Sequence, residues 1–143
     1  MRKFEEFVKK GIVKKQSPNK NRALSLVKEA EGKKAFLNLS LSSIPREKMN
    51  PNFVADYCYD ILMEIIRAKM FLDGYNATGS SHEAEVSYLI VLGFSEADAT
   101  FMDELRYYRN GIKYYGTILD KSYAEKVLVF MNRNYPKLKG LVK

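Results

Sequence analysis

Residues 51–72 read PNFVADYCYDILMEIIRAKMFL, and this stretch decides the fold class of the chain. Apolar side chains recur in it every three or four residues, at Val54, Tyr57, Ile61, Ile65, Ala68 and Leu72. That spacing places them on one face of a long α-helix, which other helices must cover. Asn50-Pro51 supplies a cap and a first-turn proline, and Asp73-Gly74 marks the end.

Helix signals also flank this segment on both sides. Before it, Phe4 to Val13 is predicted as a short basic helix, and Ser17-Pro18 is predicted to start a helix that runs to about Leu41. After it, three further helices are predicted, at about residues 81–92, 96–119 and 123–135. The first and third begin with the capping signatures Ser80…Glu83 and Ser122…Glu125. Ser95 caps the second, and Pro136 marks the end of the third.

No segment is predicted as a strand, and no long linker or repeat interrupts the chain. We therefore predict an all-α, up-and-down bundle of five to six helices with short connections. The 143 residues suit one domain, with residues 1–16 as a short basic N-terminal helix and residues 17–143 as the bundle.

The composition indicates the cellular compartment in which the protein is expected. The single cysteine, Cys58, excludes an intramolecular disulfide and favours a reducing environment. The longest apolar run, Tyr88 to Leu92, is far too short to span a bilayer, and charges interrupt the first residues, so no signal peptide is expected. We expect a cytoplasmic protein that does not enter a membrane.

The net charge of +7 is unevenly distributed. Residues 1–34 contain eleven Lys and Arg but only four Asp and Glu, whereas the rest of the chain contains thirteen of each sign. A basic surface of this kind attracts phosphate backbones or an acidic protein partner. The alternative is a lysine-rich surface that only faces solvent.

Metal and cofactor sites are not expected. One His and one Cys cannot form a standard zinc site, the acids lack calcium-loop spacing, and no glycine-rich phosphate loop precedes a helix. His82 lies in the first turn of a predicted helix, where a packing or capping role is the simplest interpretation.

The most informative segment for function is residues 105–116, LRYYRNGIKYYG. Arg109 falls on the apolar stripe of its helix, so it needs a carboxylate such as Asp60, Glu64 or Asp103, backbone carbonyls, or a ligand phosphate. Gly111 and Gly116 leave room for the close approach of another helix or backbone.

Arg109-Asn110 near the end of a helix, together with Gly74-Tyr75 and Ser81-His82, resembles the HEPN family of helical nucleotide-binding domains. The resemblance implies a HEPN-like homodimer that joins two Arg-Asn motifs in a cleft. It assigns phosphate binding to Arg109 and ligand orientation to Asn110. We add Lys113 and Tyr115, which follow on the same helix, as candidate nucleotide contacts. Many members form toxin–antitoxin pairs with a small nucleotidyltransferase, which is therefore an expected partner.

Active HEPN members are metal-independent endoribonucleases with a motif histidine, and Tyr114 stands at one of its positions here. A phenol titrates near pH 10, so it cannot be the base at neutral pH. We therefore expect little ribonuclease activity, with His82, Cys58 and Lys113 as the remaining candidate bases.

Three functions stay open. The chain is an RNA- or nucleotide-binding module with a degenerate motif, an endoribonuclease that uses Arg109, or a helical adaptor for an acidic protein. Tyr107, Tyr108, Tyr114 and Tyr115 either stack on bases or fill a core or subunit interface.

Overall fold

The computed structural model describes residues 1–142, apart from the side chain of Ser80. Within this part of the chain, six α-helices, two strands and two 3-10 turns follow one another. They are α1 (Phe4–Lys9), β1 (Val13–Lys15), α2 (Lys20–Ser43), a turn (Arg46–Lys48), α3 (Pro51–Asp73), β2 (Tyr75–Ala77), a turn (Thr78–Ser80), α4 (His82–Val91), α5 (Glu96–Tyr115) and α6 (Lys121–Gly140). The predicted all-α bundle is confirmed. None of these helices combines the length and apolarity needed to cross a bilayer.

Helix α3 is the centre of the bundle, with α2, α4, α5 and α6 packed around it. Most of its side chains are buried, including Val54, Ile61, Ile65 and Ala68 of the predicted stripe. Its start is as predicted, because the Asn50 side chain accepts the first free N–H groups of the helix ahead of the N1 proline.

The prediction that no strand forms was wrong in one place. β1 and β2 pair as a two-stranded antiparallel ribbon beside the end of α3. Gly11, at φ +76°, ends α1 four residues earlier than predicted and turns the chain towards the ribbon, where Val13 is buried. Gly74, at φ +83°, caps α3 and leads into β2.

Several helix ends differ from the prediction because tertiary contacts decide them. α2 starts after Asn19, not Ser17, since the Asn19 N–H donates to the Phe71 carbonyl and the Asn19 side chain accepts from the Arg22 N–H. The Glu83 carboxylate is paired with Arg2, and the Ser80 side chain, the other half of the predicted capping box, lies outside the described part of the chain.

The last two helices also shift by a few residues. α5 ends at Gly116, at φ +68°, rather than at Leu119. Asp120 caps α6 in place of Ser122, its side chain accepting a backbone N–H. Pro136 lies inside α6, where buried Leu138 anchors the final turn that the proline was expected to prevent.

Candidate functional site

Arg109 lies where α5 packs against α3, with 15% of its side chain exposed. Its Nε is 3.2 Å from Asp56 Oδ1, and its Nη2 is 3.7 Å from Asp60 Oδ1. Asp60 was one of the carboxylates predicted to face Arg109, and this is confirmed. Asp56 was missed, although it lies one turn before Asp60 and therefore on the same face of α3.

The other two predicted partners of Arg109 are engaged elsewhere. Asp103 accepts from Arg106 Nε at 2.8 Å, one turn along α5. Glu64 Oε1 lies 3.0 Å from Lys33 Nζ of α2. Arg109 is therefore held by two carboxylates of α3, and the packing of α5 on α3 decides which two.

Tyr59 contacts both Arg109 and the only histidine of the chain. The Arg109 guanidinium lies 5.4 Å from the centre of the Tyr59 ring. The Tyr59 hydroxyl lies 2.9 Å from His82 Nδ1, and the two rings are stacked with their centroids 5.9 Å apart. Arg109 and His82, which are distant in sequence, therefore meet around one buried tyrosine.

Arg109 and His82 line the same polar cleft, which has a volume of about 460 Å³. Helices α2 to α5 and strand β2 all contribute to it, so no single segment of sequence contains the site. Its basic lining consists of four side chains, Arg22, Lys33, Arg67 and Arg109.

Three of these four cations are neutralised by carboxylates of the cleft. Arg67 donates to Glu85 through two hydrogen bonds, of 2.6 and 3.0 Å, and Glu85 is buried. Lys33 and Arg109 have the partners described above. Among the described residues Arg22 has no carboxylate partner, and its guanidinium lies 4.7 Å from the centre of the Phe71 ring.

Burial decides the protonation of the central groups. Burial lowers the pKa of His82, so its imidazole is neutral at pH 7. Burial raises the pKa of Tyr59, which keeps its hydroxyl protonated. Burial, with repulsion from Asp56, raises the pKa of Asp60, while the Arg109 charge opposes this rise.

A neutral His82 can take up a proton, and its tautomer decides at which nitrogen. If Nδ1–H donates to the Tyr59 oxygen, Nε2 is unprotonated and available as a base. If Tyr59 donates to Nδ1, Nε2 carries the hydrogen and acts as a donor. The arrangement therefore offers either a base or a hydrogen-bond donor in the cleft that Arg109 lines.

The remaining predicted site residues are not brought into this cleft. Lys113 is next to it, with Nζ 3.7 Å from Asp56 Oδ2. Asn110 is half-buried and does not line the cleft, and Tyr114 and Tyr115 are 72% and 84% exposed. The helix explains this separation, because residues five apart lie about 140° apart around its axis.

The structure changes the interpretation of two further candidates, Cys58 as a base and the tyrosines of α5 as a base-stacking cluster. Cys58 is buried, and burial raises the pKa of its thiol to about 12, so it cannot serve as a base. The four tyrosines of α5 do not form one cluster. Tyr108 packs against Tyr123 with ring centroids 4.9 Å apart and contacts the exposed Tyr107, whereas Tyr114 and Tyr115 are exposed.

The room left by Gly111 is used within the chain. A Cβ at this position would lie 2.7 Å from Thr117 Oγ1, and the Thr117 N–H donates to the Gly111 carbonyl. Gly116 supplies the positive φ that ends α5. The glycines therefore serve the turn after α5, and they are not evidence for a subunit interface there.

Comparisons with family models, curated proteins and solved structures found no significant match. Across the described residues, no group of three or more His, Cys, Asp or Glu side chains is arranged to hold a metal ion.

Proposed function

We propose that this chain is a HEPN-like module that binds RNA or a nucleotide, with Arg109 holding a phosphate in the cleft. The observation that carries the proposal is that Arg109 and His82 line one cleft and both contact the buried Tyr59. The resemblance of Arg109-Asn110 to the HEPN motif supports it, and so does the helical fold.

The contacts of Arg109 leave it able to bind a ligand. Its Nε and Nη2 face Asp56 and Asp60, and these carboxylates fix the plane of the guanidinium. A guanidinium has five N–H donors, so further donors remain for a phosphate oxygen. Lys113 shares Asp56 and adds a second positive charge at the edge of the site.

Binding is tested by titrating a short single-stranded RNA and adenosine monophosphate against wild type and Arg109→Ala. We expect at least a tenfold loss of affinity in the variant. Arg133→Ala is the matched control, because Arg133 is also paired with a carboxylate, Asp98, but lies away from the cleft. Equal binding by wild type and Arg109→Ala would remove Arg109 from the site.

From the resemblance to the HEPN family we also propose a homodimer and a nucleotidyltransferase partner. Sedimentation of the purified chain tests the first, with a dimer expected. Co-purification with a small nucleotidyltransferase tests the second. Binding of an acidic protein, with no affinity for RNA or nucleotide, would favour the adaptor function instead.

A second candidate function is metal-independent cleavage of RNA, which the position of His82 favours. A neutral His82 with Nε2 unprotonated would take the proton from a ribose 2′-hydroxyl. The 2′-oxygen would then attack the adjacent phosphorus, forming a 2′,3′-cyclic phosphate. The leaving 5′-oxygen would receive a proton from the imidazolium, and Arg109 would neutralise the developing charge.

This candidate revises the expectation of little activity, which placed His82 away from Arg109 in sequence. The test is RNA cleavage by wild type in the presence of EDTA, with a cyclic phosphate product expected. His82→Ala and Arg109→Ala should each abolish it, while Arg133→Ala should not. A wild-type protein that leaves RNA intact would reject the nuclease and retain the binding module.

A further inference from the structure

The basic N-terminal segment is fastened beside the cleft by the β1–β2 ribbon. In its register Lys14 lies opposite Asn76, and Asn76 lines the cleft. Side chains of directly opposed residues leave an antiparallel pair on the same face, about 5 Å apart. The exposed Lys14 side chain is therefore placed next to the Asn76 side of the cleft.

The neighbouring lysine of the same strand lies on the other face. Lys15 is opposite Tyr75, whose ring packs against Phe4 and Tyr88. Because successive side chains of a strand alternate, Lys14 and Lys15 leave the ribbon in opposite directions. The ribbon thus contains a matched pair of lysines of which only one faces Asn76.

Arg22 adds a second charge to this side of the site. It lies in the first turn of α2, lines the cleft, and has no carboxylate partner within the described residues. The first turn of α2 contains no acidic residue, so the positive end of the helix dipole adds to its potential. The other three basic side chains of the cleft are already paired with acids.

Building on the proposed function, we infer that Lys14 and Arg22 form a second phosphate contact beside the Arg109 site, and that the ligand is an RNA strand rather than a mononucleotide. A mononucleotide has its phosphate at one position. A strand carries one phosphate per nucleotide and can contact Arg109 and the ribbon at once. Cations without a carboxylate partner contribute most to such binding, because they have counterions to exchange and no internal ion pair to break.

The test measures the affinity of wild type and Lys14→Gln/Arg22→Gln for an eight-nucleotide RNA and for adenosine monophosphate over a range of salt concentrations. For RNA we expect at least a tenfold loss at low salt. The slope of log affinity against log salt should fall by about 1.4, which is about 0.7 for each lost contact with a single strand. Binding of the mononucleotide is compared in Lys14→Gln alone, where it should stay within twofold, because Lys14 is not among the side chains that line the cleft.

Lys15→Gln/Lys126→Gln removes the same charge elsewhere and is the control. Lys15 faces away from Asn76, and Lys126 is exposed on α6 in a groove with Val129. For this control variant, we expect the slope of log affinity against log salt to fall by less than half as much as for Lys14→Gln/Arg22→Gln. Because Arg22 also packs on Phe71, unfolding curves accompany each variant, and Lys14→Gln alone should still lower the slope by about 0.7.

The outcomes separate this inference from the proposed function. An unchanged slope in the Lys14→Gln/Arg22→Gln variant, or an equal loss of RNA and mononucleotide binding in Lys14→Gln, overturns the second contact even if Arg109→Ala still weakens binding. An Arg109→Ala variant that binds RNA like wild type overturns the proposed function. Absence of RNA and mononucleotide binding by wild type overturns both.

Discussion

Replacing Gly74 by alanine should release the ribbon that carries Lys14. Gly74 caps α3 and has φ +83°, a conformation that costs an L-residue about 1–2 kcal/mol. The added Cβ would also lie 2.6 Å from the backbone oxygen of Gln16. Because that atom belongs to the backbone, no side-chain rotation can relieve the clash, and the segment after β1 must move.

The magnitude follows from the contacts that this movement breaks. The Gln16 N–H donates to the Gly74 carbonyl at 2.9 Å, and the Asn19 N–H donates to the Phe71 carbonyl at 3.0 Å. Each such bond contributes about 0.5–1.5 kcal/mol net. Adding the strain at positive φ, Gly74→Ala should lower the free energy of unfolding by about 2–5 kcal/mol.

Gly93→Ala is the control, because Gly93 has nearly the same φ, +89°, but a Cβ there would meet nothing within 4 Å. In Gly93→Ala the free energy of unfolding should fall only by the strain at positive φ, about 1–2 kcal/mol. Alanine also restricts the conformations of the unfolded chain, and the stability gained in this way is the same in both variants and cancels in the comparison. Urea unfolding measures both losses, and trypsin should cleave after Lys14 or Lys15 faster in Gly74→Ala alone. Equal losses of stability would refute the role of the Gln16 contact.

Three other substitutions test the site and its support. Arg109→Ala should lower the free energy of unfolding by about 1–2 kcal/mol at pH 7. This loss should already shrink as the pH falls towards 4 in urea titrations, because burial raises the pKa of Asp60 above its ordinary value and a protonated Asp60 no longer needs the guanidinium. Burial lowers the pKa of His82, so wild type should lose stability as the pH falls from 7 to 5, and His82→Gln should lose less over that range. Asn52→Ala removes two hydrogen bonds of 2.8 Å to the backbone between α5 and α6, and thermal unfolding should show a loss of about 1–3 kcal/mol.

Local signals in the sequence predicted the helices well where the decisive contacts are also local. The Asn50 cap and the Ser95 cap each bond a backbone N–H two or three residues ahead, so both could be recognised from spacing alone. Ser122 was predicted to cap α6, but the cap is Asp120, two residues earlier, and the Ser122…Glu125 spacing alone could not reveal this. The ribbon could not be predicted, because three-residue strands show no alternating pattern and depend on the burial of Val13.

The candidate site was predictable only in part, for a similar reason. The position of Arg109 on an apolar stripe predicted a buried guanidinium with a carboxylate partner, and Asp60 was among those named. Nothing in the spacing of α5 could reveal that Tyr59 joins Arg109 to His82, because that contact depends on how three helices pack. Asn110, Tyr114 and Tyr115 follow Arg109 in sequence but turn away from the cleft with the helix.

The charge distribution shows how the sequence and the three-dimensional structure together determine the charge of the candidate site. In the sequence, the excess positive charge lies in residues 1–34, far from Arg109. In the structure, most cations of the cleft are neutralised by its own acids, so Arg109 alone gives the site little net charge. Arg22 lines the cleft and Lys14 lies opposite the cleft residue Asn76, and neither has a carboxylate partner among the described residues. A phosphate-bearing strand would thus be attracted by the N-terminal segment and positioned by Arg109, which separates long-range attraction from specific contact.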